Sequence, residues 1–449
     1  VRQARAGGFL IEEHSALATG MADARSAIWD DPSVLYYNPA AMTELKGYQI
    51  TLGDTLIFPG VTYTPLPEDE RESDLDGTNA ADGEFRLYYP LHVYLTVETT
   101  SWLSLGISLN NPFGLGVFWP DDWDGRYTAY QANLETFFTQ PVISVSLARL
   151  LKLPDDVALS IGVGVNYVYG KAFINSKVDV SNFARGDQGD AAMIMEGDGH
   201  GFGATWSLFA AWKPWFSFGA TVRSNVHMEF EGEAKFEDIN EETSTLMSAL
   251  GIVLPESTGG STHMNLPWNM NFGVAFHGLE KFTFAFDFYY TMWESYNELA
   301  IEFDCSTSGE CYRGLNESAT YPKDWKNGYQ ISIGAEYRPI EAIAVRLGYG
   351  YVSDPTHKDY YDALLPDGNR HLACAGIGWR HKKYVKIDLG YMFAYWKGEK
   401  NNDVGEADTL GPNGKAKGTY ETMAHLLAIS IGLSFGGPRK SAPPTMNHR

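Results

Sequence analysis

The connections between apolar segments alternate strictly in length along this chain, and few architectures tolerate that. Fourteen segments carry a period of two: near 48–57, 85–98, 102–111, 134–147, 157–170, 202–212, 216–228, 269–277, 282–290, 328–337, 342–352, 372–381, 384–395 and 427–435. In 384–395, Val385, Ile387, Leu389, Tyr391, Phe393 and Tyr395 alternate with Lys386, Asp388, Gly390, Met392 and Ala394. Each segment reads as a strand with one greasy face and one small or polar face. The connections at 58–84, 112–133, 171–201, 229–268, 295–327, 353–371 and 396–423 are long; those at 99–101, 148–156, 213–215, 278–280, 338–341 and 382–383 are short. A meander with loops at one end and tight turns at the other has the anatomy of an outer-membrane barrel.

The competing reading is a soluble sandwich or a lipocalin-like barrel with its greasy rows turned inward. Fourteen strands make a barrel too wide for side chains to fill. The alternate face is rich in Gly, Ser, Ala and Thr and carries Arg223, Glu336, Arg346, Arg380 and Asp388, which suits a wet lumen. Lipid leaves an open sheet edge unsatisfied, so the barrel must close. Trp102, Trp212, Trp215, Trp379 and Tyr384 lie beside short turns, and Tyr169, Tyr290, Trp293, Tyr351, Tyr395 and Trp396 beside long loops, as two headgroup girdles require. Net charge −22 excludes nucleic acid as a partner. No run of about 18 apolar residues exists, which excludes a transmembrane helix. Three cysteines make neither a disulfide scaffold nor a zinc module.

Residues 7–46 show no period-two strand. Ser15 to Ile28 is Ala-rich and helix-compatible, and Asp30-Asp31-Pro32-Ser33 and Asn38-Pro39 interrupt it with turn chemistry. A run of small helices ahead of a wide barrel reads as a plug in its lumen; a periplasmic arm is the alternative. Ala4-Arg5-Ala6 has the small-x-small pattern of a signal-peptide end, so residues 1–6 are read as its remnant.

Several motifs resemble one family in order. Gly8-Phe9, Ser15-Ala16, Gly20, Asp31-Pro32-Ser33, Asn38-Pro39-Ala40 and Met42 look like the amino-terminal hatch of FadL/TodX-type outer-membrane transporters of long-chain fatty acids and aromatic hydrocarbons. Asn110-Asn111-Pro112-Phe113-Gly114-Leu115, Trp123-Asp124-Gly125-Arg126-Tyr127, Leu266-Pro267, Asp287 to Trp293, Arg346-Leu347-Gly348-Tyr349 and Leu365 to Arg370 are similar to later parts of that family. The expected fold is thus an all-β, 14-stranded antiparallel transmembrane β-barrel, residues 47–435, with an N-terminal helical hatch, residues 7–46, in its lumen. Residues 436–449 form a tail beyond Phe435, where the family usually stops.

The resemblance implies an external groove, a lumenal pocket beside the hatch and a sideways exit. For the groove, 237–254 reads as partly helical and offers Leu246 and Leu250, with Met193, Ile194 and Met195 to complete it. Self-packing of a long loop is the other reading. For the pocket, the family implies that Phe9 touches the ligand. An inward Arg223 or Arg346 would suit a carboxylate, although these cations also have lumenal carboxylates to pair with. For the exit, Pro112 cannot donate a ladder hydrogen bond and Gly114 packs poorly, so pairing should fail around Asn111, Pro112, Phe113 and Gly114; a plain loop start is the alternative. The Asn38-Pro39-Ala40 turn is expected against that gap. Cys305 and Cys311 share one loop and can form a disulfide. The acidic residues Asp354, Asp359, Asp362 and Asp367 read as solvated loop faces.

The expected function is passive uptake of a hydrophobic small molecule, a fatty acid in the first place, by a monomer among outer-membrane lipids. Its loops would be extracellular and its termini periplasmic. An aromatic-hydrocarbon channel and a lipid exporter are the alternatives. No phosphate-binding loop appears, and neither a cofactor nor a metal is expected. An outer-membrane lipase is the remote reading, since no Gly-x-Ser-x-Gly elbow is present.

Overall fold

A computed structural model describes residues 7–71, 77–181, 189–250, 256–304, 319–357, 361, 363–382, 384–400 and 416–436. Residues 1–6, the pair Cys305 and Cys311, Asp359, Asp362 and most of the C-terminal tail lie outside these. The strands join one antiparallel sheet whose wall has fourteen staves. These are β1 (Tyr48–Pro65), β2 (Leu91–Glu98), β3 (Leu103–Asn110 continued by Gly114–Phe118), β4 (Gln131–Ser146) and β5 (Val157–Asp179). Next come β6 (Asp190–Trp212), β7 (Phe216–Arg223 with Val226–Glu237), β8 (Ser257–Leu266 with Asn269–Leu279) and β9 (Phe282–Thr291 with Glu298–Asp304). Then follow β10 (Ala319–Pro322 with Gly328–Ile340), β11 (Ile343–Val352), β12 (Arg370–His381), β13 (Val385–Lys400) and β14 (Gly418–Phe435). The sheet closes where β14 pairs β1, from Tyr48↔Phe435 to Pro65↔Gly418.

The greasy rows point away from the barrel axis. Leu427, Ile429, Ile431 and Leu433 of β14, Phe282, Phe284 and Phe286 of β9, and Val163 and Val165 of β5 are all exposed, while the alternating Ala428, Ser430 and Ala285 are buried. Only hydrocarbon outside the wall makes that arrangement favourable, because each such side chain is worth about 1.5–3 kcal/mol when removed from water.

Three features depart from the sequence expectations. First, the staves run on into segments read as loops: β5 and β6 have 23 residues each. At about 3.3 Å per residue and about 40° tilt they rise about 58 Å, against an apolar band of about 25 Å. Met193, Ile194 and Met195 therefore lie in β6 and not in a loop. The extensions were hidden because the period of two lapses in them: Phe173 and Ile174, and Met193, Ile194 and Met195, put apolar side chains on both faces.

Second, 85–90 alternates like a strand but joins no stave. Among the described residues its β-pairing is the isolated bridge Ile57↔Tyr88. Third, Trp293 belongs to no girdle; it is fully buried and faces inward.

Residues 7–46 pack against the inward face of the wall. They form α1 (Ala16–Thr19), α2 (Val34–Tyr37) and the 3-10 helix Pro39–Glu44, in which Pro39 occupies the first turn, where its missing N–H costs nothing. Contacts reach the wall on opposite sides: Ala16 N donates to Ser430 Oγ at 3.0 Å, and Ser217 Oγ donates to Ala27 O at 2.7 Å. The small inward residues are what let this segment approach. A Cβ on Gly219 would sit 1.8 Å from Ser26 O, and one on Gly390 2.3 Å from Ala16 O.

Candidate functional site

The first described residues of the chain are tied to a loop and to the wall. Gly8 N donates to Asp367 Oδ2 at 2.5 Å, and Arg370 Nη2, itself paired with Asp367 at 2.8 Å, donates to Gly8 O at 2.7 Å. Asp367 is fully buried, which corrects its reading as a solvated loop face. Beyond Gly8, the chain adds a short strand to the wall. Leu10 bridges Phe113, Gly114 N donates to Phe9 O at 2.9 Å, and Ile11 N donates to Pro112 O at 2.8 Å.

This pairing occurs where β3 is interrupted. Pro112 brings no N–H, and the ladder between the two halves of β3 and β4 lapses at 111–113. Thr136 of β4 takes up the loose polar groups. It receives Asn111 Nδ2 on its carbonyl at 2.7 Å, and its hydroxyl donates to Phe113 O at 2.6 Å.

Four more staves break between their two halves, at 224–225, 267–268, 292–297 and 323–327. Freed from the strand alternation, Trp293, Tyr296 and Trp325 turn inward and enclose Phe9. Ring centroids lie 4.7 Å from Phe9 for Trp293, 5.6 Å for Tyr296 and 5.9 Å for Trp325, mostly edge to face. Above this cage the upper halves of β4 to β9 surround a pocket of about 1010 Å³, part of it open to solvent. Its lining is apolar for the most part, with Leu134, Met195, Phe230, Met264 and Ile301, and Lys323 reaches its wall.

A second cavity of about 510 Å³ is lined by Leu10, Pro112, Phe113, Phe138 and Leu266. Arg223 faces it. The guanidinium lies 4.5 Å from the Tyr36 ring centroid and donates to Tyr36 O and, at 3.3 Å, to Asn269 Oδ1. Tyr36 and Asn269 also hold Glu12: Tyr36 Oη donates to Glu12 Oε2 at 3.0 Å and Asn269 Nδ2 to Oε1 at 3.3 Å. Burial pushes the Glu12 carboxyl up to about 7, against the pull of Arg223.

Other expected residues lie elsewhere. Arg346 is fully buried and paired to Glu336 at 2.7 Å and Asp388 at 2.8 Å; it lines neither of these cavities, so its assignment to the ligand is withdrawn. Asp287, also on an inward face, accepts the backbone N–H groups of Arg25 and Ser26 at 3.1 and 2.7 Å. Of the expected groove helix, Glu241–Ala249 is α-helical and capped by Asn240. Met247 is its buried apolar residue, packed with Val178, Met193 and Phe236. Leu246 and Leu250 line neither cavity, and Leu250 is 59% exposed. Met247 fits the self-packing reading, while residues 251–254 of the expected groove lie outside the described residues.

The Asn38-Pro39-Ala40 turn is not against the gap either. Ala40 N donates to Ser207 Oγ and Ser144 Oγ to Pro39 O, and Ser144 lies eight residues, about 26 Å, along β4 from Thr136. The segment against the gap is Phe9 to Ile11. Trp325, Tyr296 and Lys323 were missed because no periodicity marks a strand break, whereas the alternation of Leu299, Ile301 and Phe303 was a usable signal.

A family model described as outer membrane protein transport protein (OMPP1/FadL/TodX) matches residues 1–435. The chain belongs to this family. It is thus an outer-membrane β-barrel of a group that transports hydrophobic compounds. A long-chain fatty acid transport protein of Escherichia coli is 24% identical, over 89% of this chain and 88% of that protein. Outer membrane protein P1 of Haemophilus influenzae is 22% identical over 96% of both. Among solved structures, a FadL homologue of Pseudomonas aeruginosa superimposes with TM-score 0.77 at 18% identity, covering 96% of this chain and all of that one. The toluene transporter TodX of Pseudomonas putida gives 0.69 at 15% identity, covering 95% and 99%. These superpositions establish the shared fold.

Proposed function

We propose that this protein is a passive importer, and not an enzyme, that takes long-chain fatty acids from the long-loop, extracellular end and releases them sideways through the wall gap at β3. In this reading residues 7–46 act as a hatch, the termini are periplasmic, and the barrel works as a monomer. One observation carries it: the segment Phe9 to Ile11 is at once a wall of the apolar pocket, through the Phe9 ring, and the stopper of the gap, through its hydrogen bonds to β3. A ligand that displaces Phe9 necessarily disturbs the stopper. Release into hydrocarbon spares an apolar tail any passage through water. The aromatic rings around Phe9 also favour a second ligand class, aromatic hydrocarbons, which would stack there.

The test is a tether. Leu10 and Phe113 are antiparallel bridge partners, so their Cα atoms stand about 4.5–5.5 Å apart, within disulfide range. In cells lacking their own transporter, Leu10→Cys with Phe113→Cys should block hexadecanoate uptake when oxidised and restore it on reduction, while neither single variant does. Full uptake through the oxidised, cross-linked barrel would refute the sideways route.

A further inference from the structure

The second cavity has no role in the pathway as drawn so far, yet it touches both the gap, through Pro112 and Phe113, and the stopper, through Leu10. It differs from the first in chemistry. Apolar surfaces from Phe138, Val226 and Leu266 face a half-buried guanidinium. Among the described residues no carboxylate oxygen lies within 4 Å of Arg223, whose acceptors are the neutral oxygens of Tyr36, Asn269 and Asn271. The polar neighbours are otherwise engaged with one another: Asn110 donates to Tyr94 Oη at 2.7 Å and Gln140 to Thr205 Oγ1 at 2.7 Å. Arg223 is therefore the group there with unspent capacity for an anion, and a guanidinium can bind a carboxylate through two parallel hydrogen bonds.

Resting on the import reading above, we infer that this cavity is a separate station that binds the anionic head of an amphiphile on Arg223, with its tail along Phe138 and Leu266, and that the head displaces Glu12 to open the gap. The exchange follows from shared partners. Asn269 gives its oxygen to Arg223 and its nitrogen to Glu12, while Tyr36 gives its carbonyl to Arg223 and its hydroxyl to Glu12. Glu12 thus balances Arg223 at one remove. A second carboxylate arriving on the guanidinium leaves Glu12 as a surplus buried charge, which is costly unless it moves or takes a proton. Glu12 follows Ile11 directly, so its departure pulls on the Ile11 to Pro112 bond that closes the gap. Neutral molecules gain entry to the first pocket but do not trigger this exchange, and the device selects carboxylates over hydrocarbons.

The experiment compares uptake of hexadecanoate and of hexadecanol, by cells expressing the full chain. The native protein should prefer the acid. Arg223→Gln should lower the acid-to-alcohol uptake ratio about tenfold or more, as expected for a lost charge-assisted bond. Arg223→Lys should restore part of it, and Glu12→Gln should raise acid affinity by removing the competitor. Barrel integrity is checked by the heat-dependent shift of folded barrels on gels. An unchanged ratio in Arg223→Gln, or an equal loss of both compounds in a folded barrel, overturns the proposal. Should the native protein take up neither compound, it is the import reading itself that fails.

Discussion

Asp30 offers the sharpest test of what keeps the N-terminal segment seated. Its carboxylate meets Arg25 of the same segment, Lys386 of β13 at 3.0 Å and Arg338 of β10 at 3.4 Å. Arg25 and Lys386 are almost wholly buried, so replacing Asp30 by Asn strips them of charge compensation. Breaking a buried pair costs about 3–5 kcal/mol. The Asp30 side chain is 23% exposed, and Asp31, Glu336 and Asp388 still attend the three cations at 3.6, 2.7 and 3.9 Å. Discounting for both leaves about 2–3 kcal/mol, or a seated-to-released ratio lowered about 30- to 150-fold. Native-state hydrogen exchange reads that ratio as lost protection of the amides of α1 and α2, against unchanged protection in β13 and β14. Planar-bilayer recordings should show more frequent ion-conducting events. Asp30→Asn with native protection in α1 and α2 would show that the ionic cluster does not hold the segment, and the reasoning would fall.

Two further outcomes follow. Phe9→Ala removes the ring that Trp293, Tyr296 and Trp325 surround, and should weaken hexadecanoate binding at least tenfold, read from the tryptophan emission of the pocket; unaltered affinity would place the ligand elsewhere. Seating of the first residues should also depend on pH. The groups facing Glu12 are Arg223 and Asn269 from the wall and Tyr36 and Glu13 from its own segment. Since the carboxyl is held at about 7 when seated and returns toward 4.5 when released, its contribution is full below about 4.5 and is lost as pH rises through about 7. Amide exchange at Ile11 and Gly114, corrected for intrinsic rate, should accelerate between pH 5 and pH 8.5. A flat profile would mean Glu12 does not titrate there.

The barrel was legible because outward rows must meet hydrocarbon, and that demand is written residue by residue, as in Leu427, Ile429 and Ile431. Local alternation does not reveal a missing neighbour, however. Phe85, Leu87 and Tyr89 alternate like a paired strand, and the absence of ladder partners beside them is a property of the whole wall. Parity likewise told which cations point inward but not at what height. Arg223 and Arg346 read the same by alternation; Arg346 lies deep against Glu336 and Asp388, whereas Arg223 ends a strand segment just before the break at 224–225. The break, marked by Ser224-Asn225 opposite Pro267-Trp268, was the available signal for a site. Phe9 had no such signal of its own, since a single aromatic before a helix carries no pattern, and it was reached by resemblance to the family.

The same physics explains why a gap in the wall does not leak. An interrupted ladder facing lipid leaves polar groups that hydrocarbon cannot satisfy. Here a side chain, Thr136, and a borrowed strand, Phe9 to Ile11, supply the partners. Withdrawing that strand breaks the bonds of Gly114 N and Ile11 N, each worth about 1–3 kcal/mol when its loss leaves a buried group unpaired. The closed state is then favoured by about 2–6 kcal/mol, or about 30-fold to more than ten-thousandfold. A ligand opens the gap only by supplying that difference through contacts made in the open state. On the proposed route, displacement of Phe9 by an apolar tail and of Glu12 by a carboxylate would act on opposite ends of one four-residue segment, so their effects would add on the same two hydrogen bonds. A molecule with both features is therefore expected, on that route, to open a gap that a molecule with either one alone leaves mostly shut.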